Sequence, residues 1–297
     1  MPRDKIYIEE EFPSPILQLW LTFKRTPVAI WALFCYVLLV LLAIFGSFIT
    51  PHSAMENNLD MLLTPPAWNA DGDISYLLGT DDLGRDMLSR LIQGTSLTFG
   101  LSILVVVCAL IIGVLIGSVS ALTRGVKASL LTHFLDVVLS MPSLLLAIII
   151  VAILGPGLTN VLWAIGLVLI PQFIHITRNA IKEEQQKGYV LIPILDGASE
   201  LRVLVTSIYP NIIDKIIIQA TLAQSAAILD IAALGFLGLG APVALPEWGS
   251  MLANSLDLFY IAPWTSYLPG LAILIAVIVT NLVGEGLRHS LKLQKEN

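Results

Sequence analysis

The sequence predicts an all-α integral membrane protein with six transmembrane helices and both termini cytoplasmic. Three observations predict it. Hydrophobic residues make up 56% of the 297 and charged residues only 13%, against roughly 25% charged in soluble domains. The mean hydropathy of +0.85 leaves too few charges to clothe a water-facing surface. Six stretches are long and apolar enough to cross a bilayer, which takes about 20 helical residues. Lysine and arginine are shared very unequally between the two faces those stretches define.

The expected spans are 28–50, 96–122, 132–154, 158–177, 216–239 and 267–287. They follow an N-terminal arm, 1–27, and precede a short tail, 292–297. A long outer loop, 51–95, and an inner loop, 178–215, lie between them; the body of the domain is 96–291. Fourteen of the sixteen lysines and arginines fall on the face of the arm, the inner loops and the tail; the other face holds only Arg85 and Arg90. The positive-inside rule then places both termini in the cytoplasm. The arm contributes Arg3, Lys5, Lys24 and Arg25, an inner turn Arg124 and Lys127, the tail Lys295. Glu9, Glu10 and Glu11 precede an apolar run too long for the core of a signal peptide, which argues against a cleaved one. Cys35 and Cys108 fall in separate spans, so no disulfide framework is expected.

The formal charge of −6 divides into opposites. The outer loops sum to −7 and the inner segments to +4, and Asp136, Asp230 and Glu285 lie within spans. Nucleic acid wants a basic stripe, which this chain lacks. No G-x-x-x-x-G-K-[ST] loop, H-E-x-x-H pair or G-x-S-x-G elbow occurs, and the four histidines are scattered, so no metal or hydrolytic site is expected.

The outer loop carries Gly79-Thr80-Asp81-Asp82-Leu83-Gly84-Arg85-Asp86. Asp81 or Asp82 can cap a helix N-terminus, with Arg85 pairing across one turn. A ligand contact is the second reading; calcium is weaker still, because the acid spacing does not fit an EF-hand loop. In the inner loop Tyr189-Val190 closes one helical region and Pro193 interrupts. Asp196 can N-cap a second helix starting Gly197-Ala198-Ser199-Glu200 and stopped by Pro210-Asn211. Leu201, Leu204, Val205 and Ile208 would form its apolar face. That face either docks a partner or packs on the protein's own inner end. After the fifth span, glycines 235, 238 and 240 end a helix sharply. The segment from Pro246 to Trp264 reads as an interfacial hairpin, including Glu247, with Trp248 and Trp264 as headgroup-level anchors. Acids inside spans are costly and often functional. Asp230, near mid-span, needs a partner or water and can line a pathway. Asp136 lies close to a span end, where it can also snorkel, and Asn281 can bond a neighbouring helix; with Asp230 they are the candidate pathway residues. His175 reads as an interfacial residue, and Glu285, beside Arg288 and His289, as a solvated pair. With no internal repeat, an ion-coupled carrier built on Asp230 is a distant alternative.

With these residues in view the sequence resembles the permease subunits of ATP-binding-cassette importers for dipeptides and oligopeptides, the second of the two paired permeases. Leu78-Gly-Thr-Asp-Asp-Leu-Gly-Arg-Asp-Met-Leu-Ser-Arg90 carries the likeness, with Ser140-Met-Pro-Ser-Leu-Leu-Leu-Ala147 and Ile228-Leu-Asp-Ile-Ala-Ala-Leu-Gly-Phe-Leu-Gly-Leu-Gly-Ala241. Pro246-Glu-Trp-Gly249, Pro263-Trp264 and Pro269-Gly-Leu-Ala-Ile273 complete it. Within the family it is most similar to the Sap-type permeases, linked to cationic antimicrobial peptides. The resemblance implies a type I importer fold in the bacterial inner membrane and no cofactor or catalysis on this chain. ATP and magnesium would sit on two separate ATPase subunits; a second permease and a periplasmic peptide-binding protein complete the assembly. It assigns Tyr189, Gly197, Ala198, Ser199, Ile208, Pro210 and Asn211 to the loop that docks the ATPase. Pro193 and Ile194 stand where the family often has a small and then a basic residue. Nickel and polyamine systems share these motifs.

Overall fold

In lipid every backbone N–H and C=O must be satisfied within its own segment, so the apolar stretches fold as long helices. The computed structural model describes residues 15–123 and 125–296. Arg3, Lys5 and the Glu9–Glu11 run lie outside the described residues, as do Arg124, Asn297 and the side chains of Lys127 and Lys295. Among the described residues five helices are long and apolar enough to cross a membrane, six if a sharply bent pair counts as one span.

The arm ends in a helix, α1 (Pro15–Lys24), whose Phe23 is buried against Gly286. The first span is α2 (Pro27–Ile49), with Pro27 at its first turn, where a missing N–H costs nothing. α3 (Met87–Thr95), one π turn (Ser96–Gly100) and α4 (Leu101–Leu122) run on as a single 36-residue helix, so the second span begins well before the expected residue 96.

The third span departs most from expectation. α5 (Val126–Leu139) and α6 (Ser143–Leu154) meet at 94° and do not form one straight helix over 132–154. Pro142 between them has extended backbone (ψ 132°) and no N–H with which to continue the ladder. α7 (Leu158–Gln185) starts where expected but runs past Thr177, keeping Pro171 inside it. α8 (Gly188–Leu195) follows after two residues and contains Pro193, which therefore does not interrupt it.

α9 (Glu200–Val203), a second π turn (Leu204–Ile208) and α10 (Tyr209–Phe236) form one 37-residue helix. The expected stop at Pro210 is thus corrected. The π turn sends the Tyr209 N–H to the Leu204 carbonyl, shifting the bonding register just ahead of Pro210. The proline's missing donor and bulky ring fall at that junction, where they break nothing. α10 ends as the glycines predict: Leu239 N–H reaches the Leu234 carbonyl and Gly238 (φ +75°) reverses the chain. α11 (Trp248–Asn254) and α12 (Trp264–Glu296) complete the order.

α4 and α7 approach closely because Gly113 and Gly117 present no side chain. A Cβ at Gly113 would stand 2.3 Å from Phe173 Cβ, and one at Gly117 2.9 Å from Thr177 Cβ. Around this pair an apolar core joins α4, α6, α7 and α10 through Ala109, Ala147, Val151, Leu169, Phe173 and Ile231. A second core, with Ile181, Val190, Leu204 and Ile212, lies at the α8 end. A third, with Phe99, Trp248, Met251 and Trp264, lies at the opposite end, beneath the 51–95 loop.

Candidate functional site

At the α8 end the chain turns twice in a few residues. α8 closes with Ala198 N–H on the Pro193 carbonyl (2.9 Å) and Gly197 N–H on the Ile194 carbonyl (3.1 Å). Gly197 takes φ +83°, as such a helix end requires. Asp196 is therefore the C-cap of α8 and not the N-cap of the next helix. That cap is Ser199, whose hydroxyl accepts from the Arg202 N–H, with Glu200 in the first turn of α9. A helix start and a helix end both favour small polar residues, so sequence alone shifted the boundary by three positions.

The expected apolar face divides. Leu204 and Ile208 are buried in the second core, while Leu201 and Val205 are exposed. Ala198 packs at the edge of that core and Pro210 is exposed. The larger uncovered apolar surface belongs to α8 itself: Leu191, Ile192, Ile194 and Leu195 face outward, Leu195 at 85% exposure. Sequence reasoning missed it because Pro193 masks a helical pattern. Tyr189 donates its hydroxyl to Glu184, a buried carboxylate at the end of α7. Desolvation, then that neighbouring carboxylate, push the Tyr189 hydroxyl up to about 12.

At the other end the acids and arginines of the 79–90 motif turn inward, on each other. Asp81 accepts from Arg85 Nε (2.6 Å), the Arg85 N–H (2.9 Å) and the Leu83 N–H (2.9 Å), and lies 3.6 Å from Arg90 Nε. Arg85 thus pairs with Asp81 as expected, but across a turn and not a helix. The helix cap is Asp86, which accepts from the Ser89 N–H (3.0 Å) and hydroxyl (2.5 Å). Gly79 (φ +78°) and Gly84 (φ +72°) turn the chain on either side. Arg90, absent from the sequence reading as a partner, donates to the Ala54 carbonyl at 3.0 Å and is 2% exposed.

Glu247 caps α11, accepting from Gly249 and Ser250 N–H (both 2.8 Å) and from the Thr98 hydroxyl of the first π turn (3.0 Å). Burial pushes its carboxyl above the ordinary glutamate range, against those hydrogen bonds. Trp248 and Trp264 are 2% and 7% exposed, which corrects their reading as headgroup anchors. Their indole N–H groups bind the Leu91 and Thr80 carbonyls at 3.1 and 3.0 Å. The charged residues left facing water here are acidic: Glu56, Asp60, Asp71, Asp82 and Asp257 are exposed and Asp73 half-buried, while both arginines are sealed inside.

Between the ends, the three expected pathway residues are not brought together. Asp230 is 7% exposed on α10 and lies beside the Ser143 hydroxyl in the first turn of α6, next to the bend. Asn281 of α12 accepts from the Ser225 hydroxyl at 2.9 Å, next to a groove of about 340 Å3. Asp136 is exposed on α5.

The family model described as the binding-protein-dependent transport system inner membrane component matches residues 111–292. The N-terminal TM domain of oligopeptide transport permease C matches 14–66. The peptide transport system permease protein SapC of Escherichia coli O6:H1 is 43% identical over 291 residues, 98% of either chain. The di/tripeptide transport system permease protein DppC of Pseudomonas aeruginosa is 43% identical over 286 residues, 96% of this chain and 94% of that one. A chain of the MetNI methionine ABC transporter in an inward-facing conformation superposes with a TM-score of 0.57, covering 69% of this chain and 97% of its own at 17% identity; it shares the fold. The chain belongs to the binding-protein-dependent transport system inner membrane component family: it is a multi-pass inner-membrane permease subunit of a bacterial ABC transporter and is not itself catalytic.

Proposed function

We propose that this chain forms half of the pathway of a peptide importer, beside a second homologous permease, and favours cationic peptides, antimicrobial ones among them. Two ABC ATPase subunits would bind ATP and magnesium, and a periplasmic peptide-binding protein would deliver cargo. The identity to SapC and DppC over nearly the whole chain supports the peptide class. The cationic preference rests on the loop end, whose water-facing charges are acids with Arg85 and Arg90 buried among them. A single-sign field of that kind concentrates oppositely charged ligands.

The loop end is then periplasmic, and the α8 end and both termini cytoplasmic, on the fourteen-to-two division of lysine and arginine. The segments 1–27 and 292–297 are the cytoplasmic arm and tail, and 178–215 is the coupling loop. There α8 and the exposed Leu201 and Val205 offer an apolar surface of the kind that docks a partner. Asp136, Asp230 and Asn281 line the route. ATP binding would draw the two coupling loops together and rock the helices between inward- and outward-open states.

Reconstitution with the second permease, ATPases and binding protein tests the cargo. Lys-Lys and Ala-Ala should both accumulate with ATP, the former faster, and the difference should shrink with salt. Accumulation of nickel or spermidine with neither peptide would overturn the proposal.

A further inference from the structure

The last turn of α7 carries adjacent acids that reach different helices. Glu183 pairs with Lys215 of α10 at 2.6 Å. Glu184 is 2% exposed, and its carboxylate accepts from Lys187 Nζ at 2.8 and 3.0 Å and from the Tyr189 hydroxyl of α8. Only Gln186 and Lys187 separate the two helices, and their backbone is already turned: Lys187 N–H meets the Glu184 carbonyl at 3.0 Å and Val190 N–H the Lys187 carbonyl at 3.1 Å.

α8 has few other holds on the body. Val190 is fully buried, against Ile181, Val203 and Leu204, while Leu191, Ile192, Ile194 and Leu195 face outward. A surface ion pair with Lys187, itself half exposed, would mean little. A buried carboxylate with two donors aimed at it is a different object, because charge is kept from water only where such bonds replace it.

We propose that Glu184 is a positioning residue that fastens α8 to the end of α7, so that a partner displacing α8 moves α7 with it. The motion would pass on through the close α4–α7 seam at Gly113 and Gly117 and through Lys215 to α10. This rests on the reading of α8 as the ATPase-docking helix. Glu184 touches neither cargo nor nucleotide; it acts through Tyr189 and Lys187.

The test uses the complete transporter in lipid nanodiscs and reads the ratio of ATP hydrolysis with liganded binding protein to hydrolysis without it. Glu184→Ala should keep the ATPases bound through purification and bring the ratio down towards one. Glu184→Gln, which still accepts from Tyr189, should recover part of it. An unchanged ratio in Glu184→Ala overturns the proposal. If that variant loses its ATPases, Tyr189→Phe, which removes one hydroxyl, is read instead; loss of the ATPases there too makes the contact part of docking itself and also overturns it. Ile192→Asp on the exposed face reads the docking assignment alone. Retained ATPases sink that assignment; lost ATPases with an unchanged ratio in Glu184→Ala sink only the fastening.

Discussion

The indole Nε1 of Trp264 donates to the Thr80 carbonyl at 3.0 Å, joining the first turn of α12 to the 51–95 loop across 184 positions. Thr80 is fully buried, so removing the donor strands a carbonyl away from water. Trp264→Phe keeps a benzene ring but loses the N–H and the pyrrole half of the indole. It should cost at least about 1–3 kcal/mol, the desolvation penalty of an unpaired buried acceptor, with the lost packing added to it. Thermal unfolding in detergent should show a lower midpoint for it and none for Trp68→Phe, at a tryptophan 65% exposed.

Gly84 and Gly197 separate two meanings of a left-handed glycine. Both have positive φ, +72° and +83°. A Cβ at Gly84 would lie 1.8 Å from the Asn58 carbonyl oxygen, whereas one at Gly197 meets nothing within 4 Å. Gly197→Ala should cost only the left-handed penalty of about 1–2 kcal/mol. Gly84→Ala must also displace the 58–64 segment of the loop, and should leave markedly less heat-resistant protein in purified membranes. Equal yields of the two variants would contradict the packing described for the outer loop.

Glu247 gives the loop end a pH dependence. Its carboxyl is raised by burial, so the folded state holds a proton that the unfolded chain gives up near 4.5. Between that value and the raised folded value the native state binds more protons, and stability falls as pH rises. The contribution is complete below the ordinary glutamate value and is lost as pH rises through the folded one. Glu247→Gln abolishes the titration. The gap in melting temperature between wild type and this variant should therefore narrow from pH 4 to pH 7; a gap that widens would mean the hydrogen bonds from Gly249, Ser250 and Thr98 outweigh burial.

The spans were legible because lipid leaves a chain no alternative to apolar helix, and an acid partner for Arg85 because Asp81 and Asp82 stand about one turn before it, though which of the two was not. Proline was the poor guide. Pro142 breaks a span at 94°, while Pro171, Pro193, Pro210 and Pro269 sit inside helices. What separates Pro210 is the π turn before it, a register shift that no local composition announces. Trp248 and Trp264 misled for another reason. An indole suits a headgroup or a buried carbonyl equally well, and the carbonyls that claimed these two belong to Leu91 and Thr80, far away in sequence. Glu184 stayed hidden because an acid beside a lysine on a basic loop reads as solvated until Tyr189 closes over it.

The last prediction concerns Asp230 and Ser143, where the middle of α10 meets the broken third span. The carboxylate is buried, and among the described residues no lysine, arginine or histidine forms an ion pair with it. What it has is the Ser143 hydroxyl in the first turn of α6, where the helix's positive end also favours a negative charge. Hydrogen bonds to charged groups are worth about 1.5–3 kcal/mol in water-soluble proteins. Polar pairs between membrane helices average only about 0.6 kcal/mol, since the unfolded helices find other partners. A buried charge with this one side-chain donor belongs between the two. Ser143→Ala and Asp230→Ala should each destabilise the protein, and the double variant should cost less than their sum by about 1 kcal/mol, as expected of groups in contact. Thermal unfolding of the four proteins measures it. If the bend at Pro142 is held by this contact, the single variants should also lose ATP-driven uptake together, while strict additivity would mean that the bend is held by the backbone alone.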